Sequence, residues 1–168
     1  TIIIIPYYKQ QTLFTCSLAC ARIVLESIGI KTTEYELAKI INFSPRRGVS
    51  PAMIKSICEH LKVKYNFHFG ATIEELMKAI DNRFYPVVLV KPTILYNLPE
   101  MEHGHYVIIK NITDENVIIN DPDQEYGGED KKVKLDNFMK AWQSKFKLIF
   151  VLEGKENDNQ RRGLWKER

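Results

Sequence analysis

Residues 104–122 read GHYVIIKNITDENVIINDP, and this stretch decides the fold. Two runs of mainly β-branched residues, 106–109 and 117–119, flank a polar turn at 114–116. Runs of this kind between turn residues are typical of strands, and the short connection predicts an antiparallel hairpin. Similar runs at 87–90 and 148–152 predict two further strands. The second half of the chain is therefore predicted to form a mostly antiparallel sheet.

The first half of the chain has the apolar spacing of helices instead. Capping patterns such as Thr33 with Glu36 mark the starts of several of these segments. Helices are predicted over 16–27, 33–41, 50–61 and 72–80, with one short helix later, at 136–142. Helices that precede a run of antiparallel strands predict the α+β class.

Composition and charge exclude several classes of function. The chain has 168 residues, of which 45% are apolar and 27% charged, as in an ordinary globular domain. A net charge of +3 is too small for the basic face of a nucleic-acid-binding protein, so no nucleic-acid partner is expected. No apolar run approaches the roughly 18 residues of a membrane span, and three cysteines without a secretory segment favour the cytoplasm. Neither a phosphate-binding loop nor a zinc-ligand pattern is present, so no cofactor or metal is expected.

Cys16 is the sharpest candidate for chemistry because it stands at the start of the first predicted helix. Free N–H groups and the helix dipole stabilise a thiolate at that position. Gln10 and Gln11 lie just upstream, where an amide can fold over the helix end and donate to an oxyanion. By itself the signal is weak, since a single cysteine in an apolar stretch is more often a small core residue. Cys20, one turn later, is expected to be such a core residue.

His105 opens one strand of the predicted hairpin, and Asp121 ends the next. The start of one hairpin strand faces the end of its partner, so the two side chains are expected to be neighbours. A carboxylate can hold an imidazole in one tautomer while the other ring nitrogen faces a thiol. Taken singly, the two residues are typical of a strand-edge histidine and an Asp-Pro turn. Together with Cys16 they predict nucleophilic catalysis.

These motifs make the sequence resemble the bacteriocin-processing peptidases, papain-like domains of peptide-exporting ABC transporters and their stand-alone relatives. The resemblance rests on Gln10-x5-Cys16, on GHYVI at 104–108 and on NDP at 120–122, and it covers about residues 5–152. It implies a papain-like cysteine peptidase fold. It also implies a peptidase that cuts a leader peptide after a Gly-Gly pair.

The resemblance further implies a role for each of four residues. Cys16 is the implied nucleophile, His105 the general base and acid, and Asp121 the group that orients the imidazole. Gln10 and the backbone N–H of Cys16 are the implied oxyanion hole. Gln11 competes for that role, although Gln10 fits the family spacing better.

Two residues beside the nucleophile depart from the family pattern, which has Gly after the cysteine and often Asp before it. Here Thr15 and Ser17 take those places. A side chain at 17 is expected to crowd the region where the substrate backbone approaches. A catalytically impaired papain-like module that binds leader peptides therefore stays open as an alternative. An acyl transferase on the same scaffold also stays open, because an amine can resolve the same thioester intermediate.

The expected organisation is a peptidase domain over 1–152 followed by a charged tail or linker over 153–168. The expected partners are a peptide or leader-peptide substrate and, where the chain is part of a transporter, an ABC exporter. In that setting the domain is expected at the cytoplasmic face of the membrane.

Overall fold

A computed structural model describes residues 5–13, 15–44, 49–100 and 103–156. The helices within these ranges are α1 (Cys16–Ser27), α2 (Glu34–Ile40), α3 (Pro51–His60), α4 (Ile73–Asp81), α5 (Pro92–Leu95) and α6 (Leu135–Gln143). The strands are β1 (Val63–His68), β2 (Val87–Val90), β3 (His105–Ile112), β4 (Asn116–Asp121), β5 (Gly128–Lys134) and β6 (Ile149–Lys155).

These six strands form one antiparallel sheet in the order β1-β6-β2-β3-β4-β5. The predicted hairpin is its centre, since β3 pairs with β2 on one side and with β4 on the other. Ile108 lies opposite Asn120, so the start of β3 runs past the end of β4. The register therefore brings the first residue of β3 beside the last residue of β4.

Helices cover both faces of the sheet. Helices α1, α2 and α3 pack on one face, where side chains such as Leu18 and Ile57 meet Ile108 of β3. The short helix α5 and helices α4 and α6 cover the other face, where Trp142 packs with Val107. Because successive side chains of a strand point to opposite faces, β3 contributes to both hydrophobic cores and is buried between them.

The helix ends follow the signals in the sequence. Thr33 accepts a hydrogen bond from the Glu36 backbone N–H, and Thr72 accepts one from that of Glu75, as the capping patterns predict. Helix α1 ends where Gly29 adopts a φ of +91°, which permits the backbone bonds that close the helix terminus. The α+β prediction, with helices first and the sheet later, is confirmed.

Several elements differ from the predictions. Strands β1 and β5 and the short helix α5 were not expected; β5 is an edge strand with mostly charged side chains, so it lacks an apolar alternation. The helix predicted at 136–142 begins one residue earlier, at Leu135, so Asp136 lies in the first turn of α6. Strand β6 continues to Lys155, beyond the expected end at 152. Residues 1–4, at the start of the predicted peptidase domain, and residues 157–168 of the predicted tail lie outside the described residues.

Candidate active site

The structure places Cys16 as the first residue of α1, at the edge of the helical layer that packs on β3. The turn before it is held by Thr12 and Thr15: the Thr12 backbone N–H donates to the Thr15 hydroxyl at 3.0 Å, and that hydroxyl lies 3.2 Å from the Thr12 carbonyl oxygen. Cys16 is half-buried, whereas Cys20 and Cys58 are buried. Of the three thiols, the one at the helix N-terminus is therefore the most accessible to a substrate.

His105 lies between Asp121 and Cys16. Its Nε2 atom is 2.5 Å from Oδ1 of Asp121, which leaves Nδ1 for the thiol. Burial alone lowers the pKa of His105, but hydrogen bonds to Asp121 and to Cys16, together with the negative charges of both, raise it to about 10. The surroundings of this imidazole therefore favour its protonated form.

Asp121, at the end of β4, is fully buried and accepts several hydrogen bonds. Besides His105, Oδ1 accepts the backbone N–H of Asp123 at 2.8 Å, while Oδ2 accepts the hydroxyl of Tyr96. The Tyr7 hydroxyl donates to the backbone oxygen of Asp121 at 2.7 Å. Hydrogen-bond partners on both carboxylate oxygens fix the orientation of the group and offset the free-energy cost of burying its charge.

Tyr96, Tyr7 and Gly127 support Asp121, although none of the three was predicted from the sequence. Burial and the Asp121 charge raise the pKa of Tyr7 to about 12 and that of Tyr96 well above its ordinary range, so both hydroxyls remain donors. A Cβ atom on Gly127 would lie 2.3 Å from Cβ of Asp121 and 2.6 Å from Oδ2, so a larger residue there displaces the carboxylate. No local pattern marks these residues, because only the fold brings them to the end of β4.

Gln10 and Gln11 have different surroundings. The Gln10 side chain is buried, and its Nε2 donates to the Thr12 carbonyl at 2.9 Å, which uses one of its two amide hydrogens. The Gln10 backbone N–H donates to the carbonyl oxygen of Pro122 at 2.9 Å and so joins this loop to the end of β4. Gln11, in contrast, has an exposed side chain. Of the two glutamines, Gln10 is therefore the one with a buried side chain.

Ser17 does not point to the open face of the nucleophile. It is 3% exposed and lines an apolar cavity of about 10 Å³ beneath α1, together with Ala21, Val24 and Tyr106. The burial of Ser17 disfavours the expectation that a side chain at 17 crowds the substrate. The side chain is directed into the core, where it faces Tyr106 of β3.

The other histidines and the thiol of Cys20 do not join this group. His103 and His60 are exposed, while His68 pairs with Glu75 at 2.6 Å. Cys20 donates to the Tyr106 carbonyl at 3.4 Å, and burial, with the nearby Cys16 charge, raises its pKa well above the ordinary value. In the described ranges no three His, Cys, Asp or Glu side chains come together as metal ligands. The described helices also include none with the length and apolar character of a membrane span.

A thiol, an imidazole and a buried carboxylate thus stand in series at the junction of α1, β3 and β4. An imidazole held by a carboxylate can take a proton from a thiol and later return it to a leaving group. A neighbouring amide N–H group provides a donor for an oxyanion. The arrangement has the parts that acyl transfer from an amide to sulfur requires.

Comparisons with known proteins identify the family and the fold. A family model described as the "Peptidase_C39 like family" matches residues 2–148. A crystal structure of a C39-like peptidase from Bacillus anthracis has 18% identity and a TM-score of 0.76, over 93% of this chain and 98% of that chain. The peptidase domain of Streptococcus ComA, a bifunctional ABC transporter of a quorum-sensing pathway, has 16% identity and a TM-score of 0.69, over 90% and 100%.

A third structure is the double glycine motif protease from an AMS/PCAT transporter, in complex with the leader peptide. It has 15% identity and a TM-score of 0.63, over 89% of this chain and 91% of that chain. No curated protein sequence matches this chain. At these identities the structures show a shared fold, and the predicted papain-like architecture is confirmed.

Proposed function

The chain belongs to the peptidase C39-like family, and we propose that it is a cysteine peptidase that uses Cys16, His105 and Asp121. The observation that carries this proposal is the position of the His105 imidazole, whose Nε2 atom is hydrogen-bonded to a fully buried carboxylate and whose pKa the neighbouring Cys16 raises. A purely structural histidine would not need both partners, nor a place beside the most accessible thiol.

In the proposed reaction, the Cys16 sulfur attacks the carbonyl carbon of the scissile peptide bond after its proton has passed to His105. The carbonyl oxygen becomes an oxyanion that accepts hydrogen bonds from the Cys16 backbone N–H and from the second amide hydrogen of Gln10. His105 then gives its proton to the departing nitrogen, the C–N bond breaks and a thioester remains.

Water completes the cycle. His105 removes a proton from the water as it attacks the thioester carbonyl, and the thiol leaves with that proton restored. The products are a new carboxylic acid and a new amine, and Cys16 returns to its starting state. The role proposed for Asp121 is to hold the imidazole in the orientation that serves both steps.

The proposed substrate is a leader peptide cut after Gly-Gly. The support is the fold shared with a double glycine motif protease solved with its leader peptide. By the same analogy we propose that residues 1–152 form the peptidase domain and 153–168 a tail or linker. We further propose that the domain acts in the cytoplasm, at the membrane face when it serves an ABC exporter.

The test is cleavage of a synthetic leader peptide that contains a Gly-Gly site, followed by mass spectrometry. We expect a free carboxylate at the second glycine, and a loss of at least about 1,000-fold in kcat for Cys16→Ala or His105→Ala. Cys58→Ala is the matched control because that thiol is buried in the core, where burial raises its pKa to about 12. Undiminished cleavage by Cys16→Ala would refute the proposal.

A further inference from the structure

Glu34 is a buried carboxylate that the proposed reaction does not use. It is the first residue of α2 and only 3% exposed, although acidic side chains are rarely buried without partners. Its partners come from the loop that precedes Cys16. Its Oε2 and Oε1 atoms lie 3.1 and 3.4 Å from the backbone nitrogen of Gln11, which donates to them.

Two further groups face this carboxylate. Burial raises the pKa of Glu34, whereas hydrogen bonds from the Thr15 side chain and the Gln11 backbone, and the charge of Arg22 on α1, lower it. The hydroxyl proton of Thr15 has two acceptors to choose from, the Thr12 carbonyl and Glu34. The Arg22 guanidinium is itself held over the Tyr8 ring, 3.5 Å from its centre.

Glu34 therefore holds one end of a short segment of the site through the Gln11 N–H, and it faces Thr15 at the other end. Gln11 directly follows Gln10, and Thr15 directly precedes Cys16, so one carboxylate interacts with the chain neighbours of the two residues that supply the proposed oxyanion donors. On the opposite side, the Gln10 backbone N–H donates a hydrogen bond to the backbone carbonyl oxygen of Pro122. The segment is thus fixed between α2 and the end of β4.

Helix capping does not account for this burial. An acidic residue in the first turn interacts favourably with the helix dipole, but Glu36 already supplies one from an exposed position on the same turn. Helix stability alone gives no reason to bury a second carboxylate against a loop. The interactions with Gln11 and Thr15 do give a reason for the burial of Glu34.

We propose that Glu34 is a positioning residue that sets the oxyanion hole by fixing the segment between Gln10 and Cys16. This inference rests on the proposed peptidase function. It assigns Glu34 no contact with substrate. A displacement of about 1 Å in a positioned donor can cost about a hundredfold in rate, so the expected effect is on kcat.

The test compares Glu34→Ala and Glu34→Gln with Glu36→Gln, an exposed control on the same turn of α2. We expect Glu34→Ala to lower kcat for leader cleavage by about 10-fold to 100-fold, with KM within about twofold. Glu34→Gln keeps one oxygen that can accept the Gln11 N–H, so it should retain more activity than Glu34→Ala. Glu36→Gln should match the wild type.

Two probes separate oxyanion positioning from general damage. A peptide ending in glycinal adds the Cys16 thiol to its carbonyl and forms an oxyanion, so Glu34→Ala should weaken its inhibition in parallel with kcat. Iodoacetamide alkylates the same sulfur by displacing iodide, without an oxyanion, so its rate should stay within about twofold of the wild type. Equal losses in alkylation and turnover, or wild-type kcat in Glu34→Ala, would overturn the proposal.

A third measurement does not depend on turnover. Amide exchange at Gln11, followed by NMR, should accelerate in Glu34→Ala because the acceptor of that N–H is gone. If the wild type does not cleave the leader peptide, the proposed function fails, and Gln11 exchange alone decides the role of Glu34. Unchanged exchange would then overturn the positioning proposal.

Discussion

Replacing Tyr96 by Phe removes a single hydroxyl from the buried carboxylate of Asp121. That hydroxyl is the partner of Oδ2, whereas Oδ1 keeps both His105 and the Asp123 backbone N–H. Since Asp121 is fully buried, the loss leaves one oxygen of a carboxylate without its donor. A hydrogen bond to a charged group contributes about 1.5–3 kcal/mol to the free energy of unfolding.

Tyr7→Phe is an internal comparison, because the Tyr7 hydroxyl donates to the backbone oxygen of the same residue. A bond between neutral groups contributes about 0.5–1.5 kcal/mol, so Tyr7→Phe should destabilise the fold less than Tyr96→Phe. At roughly 2–4 °C per kcal/mol for a domain of this size, Tyr96→Phe should lower Tm by roughly 3–12 °C. Tyr35→Phe is the null control, since the Tyr35 ring is exposed.

The assay is urea denaturation of the wild type, Tyr96→Phe, Asp121→Asn and the double variant. The cycle isolates the Tyr96–Asp121 interaction from other effects of each change. We expect a coupling energy of about 1 kcal/mol or more, because the neutral amide of Asn is a weaker acceptor than a carboxylate. A coupling energy near zero, or equal losses for Tyr96→Phe and Tyr7→Phe, would refute this reasoning.

Three further predictions concern the same site. Gly127→Ala should lower kcat for leader cleavage by about tenfold or more and the free energy of unfolding by about 1–3 kcal/mol, because the added Cβ overlaps Asp121. Enzyme kinetics and urea denaturation measure the two effects, and wild-type values in both would contradict this prediction. The pKa of His105, about 10 in the fold, lies above the 6.5 of an unperturbed histidine. The contribution of the protonated His105 imidazole to the free energy of unfolding should therefore be complete below pH 6.5 and be lost as the pH rises towards 10. The difference in unfolding free energy between the wild type and His105→Gln should shrink over that range. Ser17→Gly should not raise kcat, because the side chain is buried away from the substrate face, and it should cost up to about 1 kcal/mol of stability in a thermal melt.

The proximity of His105 and Asp121 could be predicted from the sequence because it follows from local rules. Two β-branched runs with a short polar connection predict a hairpin, and an antiparallel hairpin places the start of one strand beside the end of the other. The helix that begins at Cys16 was predicted in the same way, from apolar spacing and a glycine at its end. These features depend on residues close together in the chain.

The positions of Tyr96 and Glu34 could not be predicted, because each lies in an element that reaches the site only after folding. Tyr96 follows the short helix α5 and meets Asp121 from 25 positions away, and Glu34 meets Gln11 from 23 positions away. The orientation of Ser17 was also beyond the sequence. Its place beside Cys16 suggested the substrate face, whereas the packing of α1 on β3 turned it towards the core.

Local backbone preferences and apolar spacing are properties of short segments. The chain by itself therefore determined its longer helices, its central hairpin and the pairing of imidazole with carboxylate. The support around that pair depends on which elements pack together, and long-range packing leaves no short-range pattern. Only the tertiary structure decided that the carboxylate of Asp121 has a tyrosine hydroxyl on Oδ2. It alone placed the buried Glu34 carboxylate against the loop that leads into Cys16.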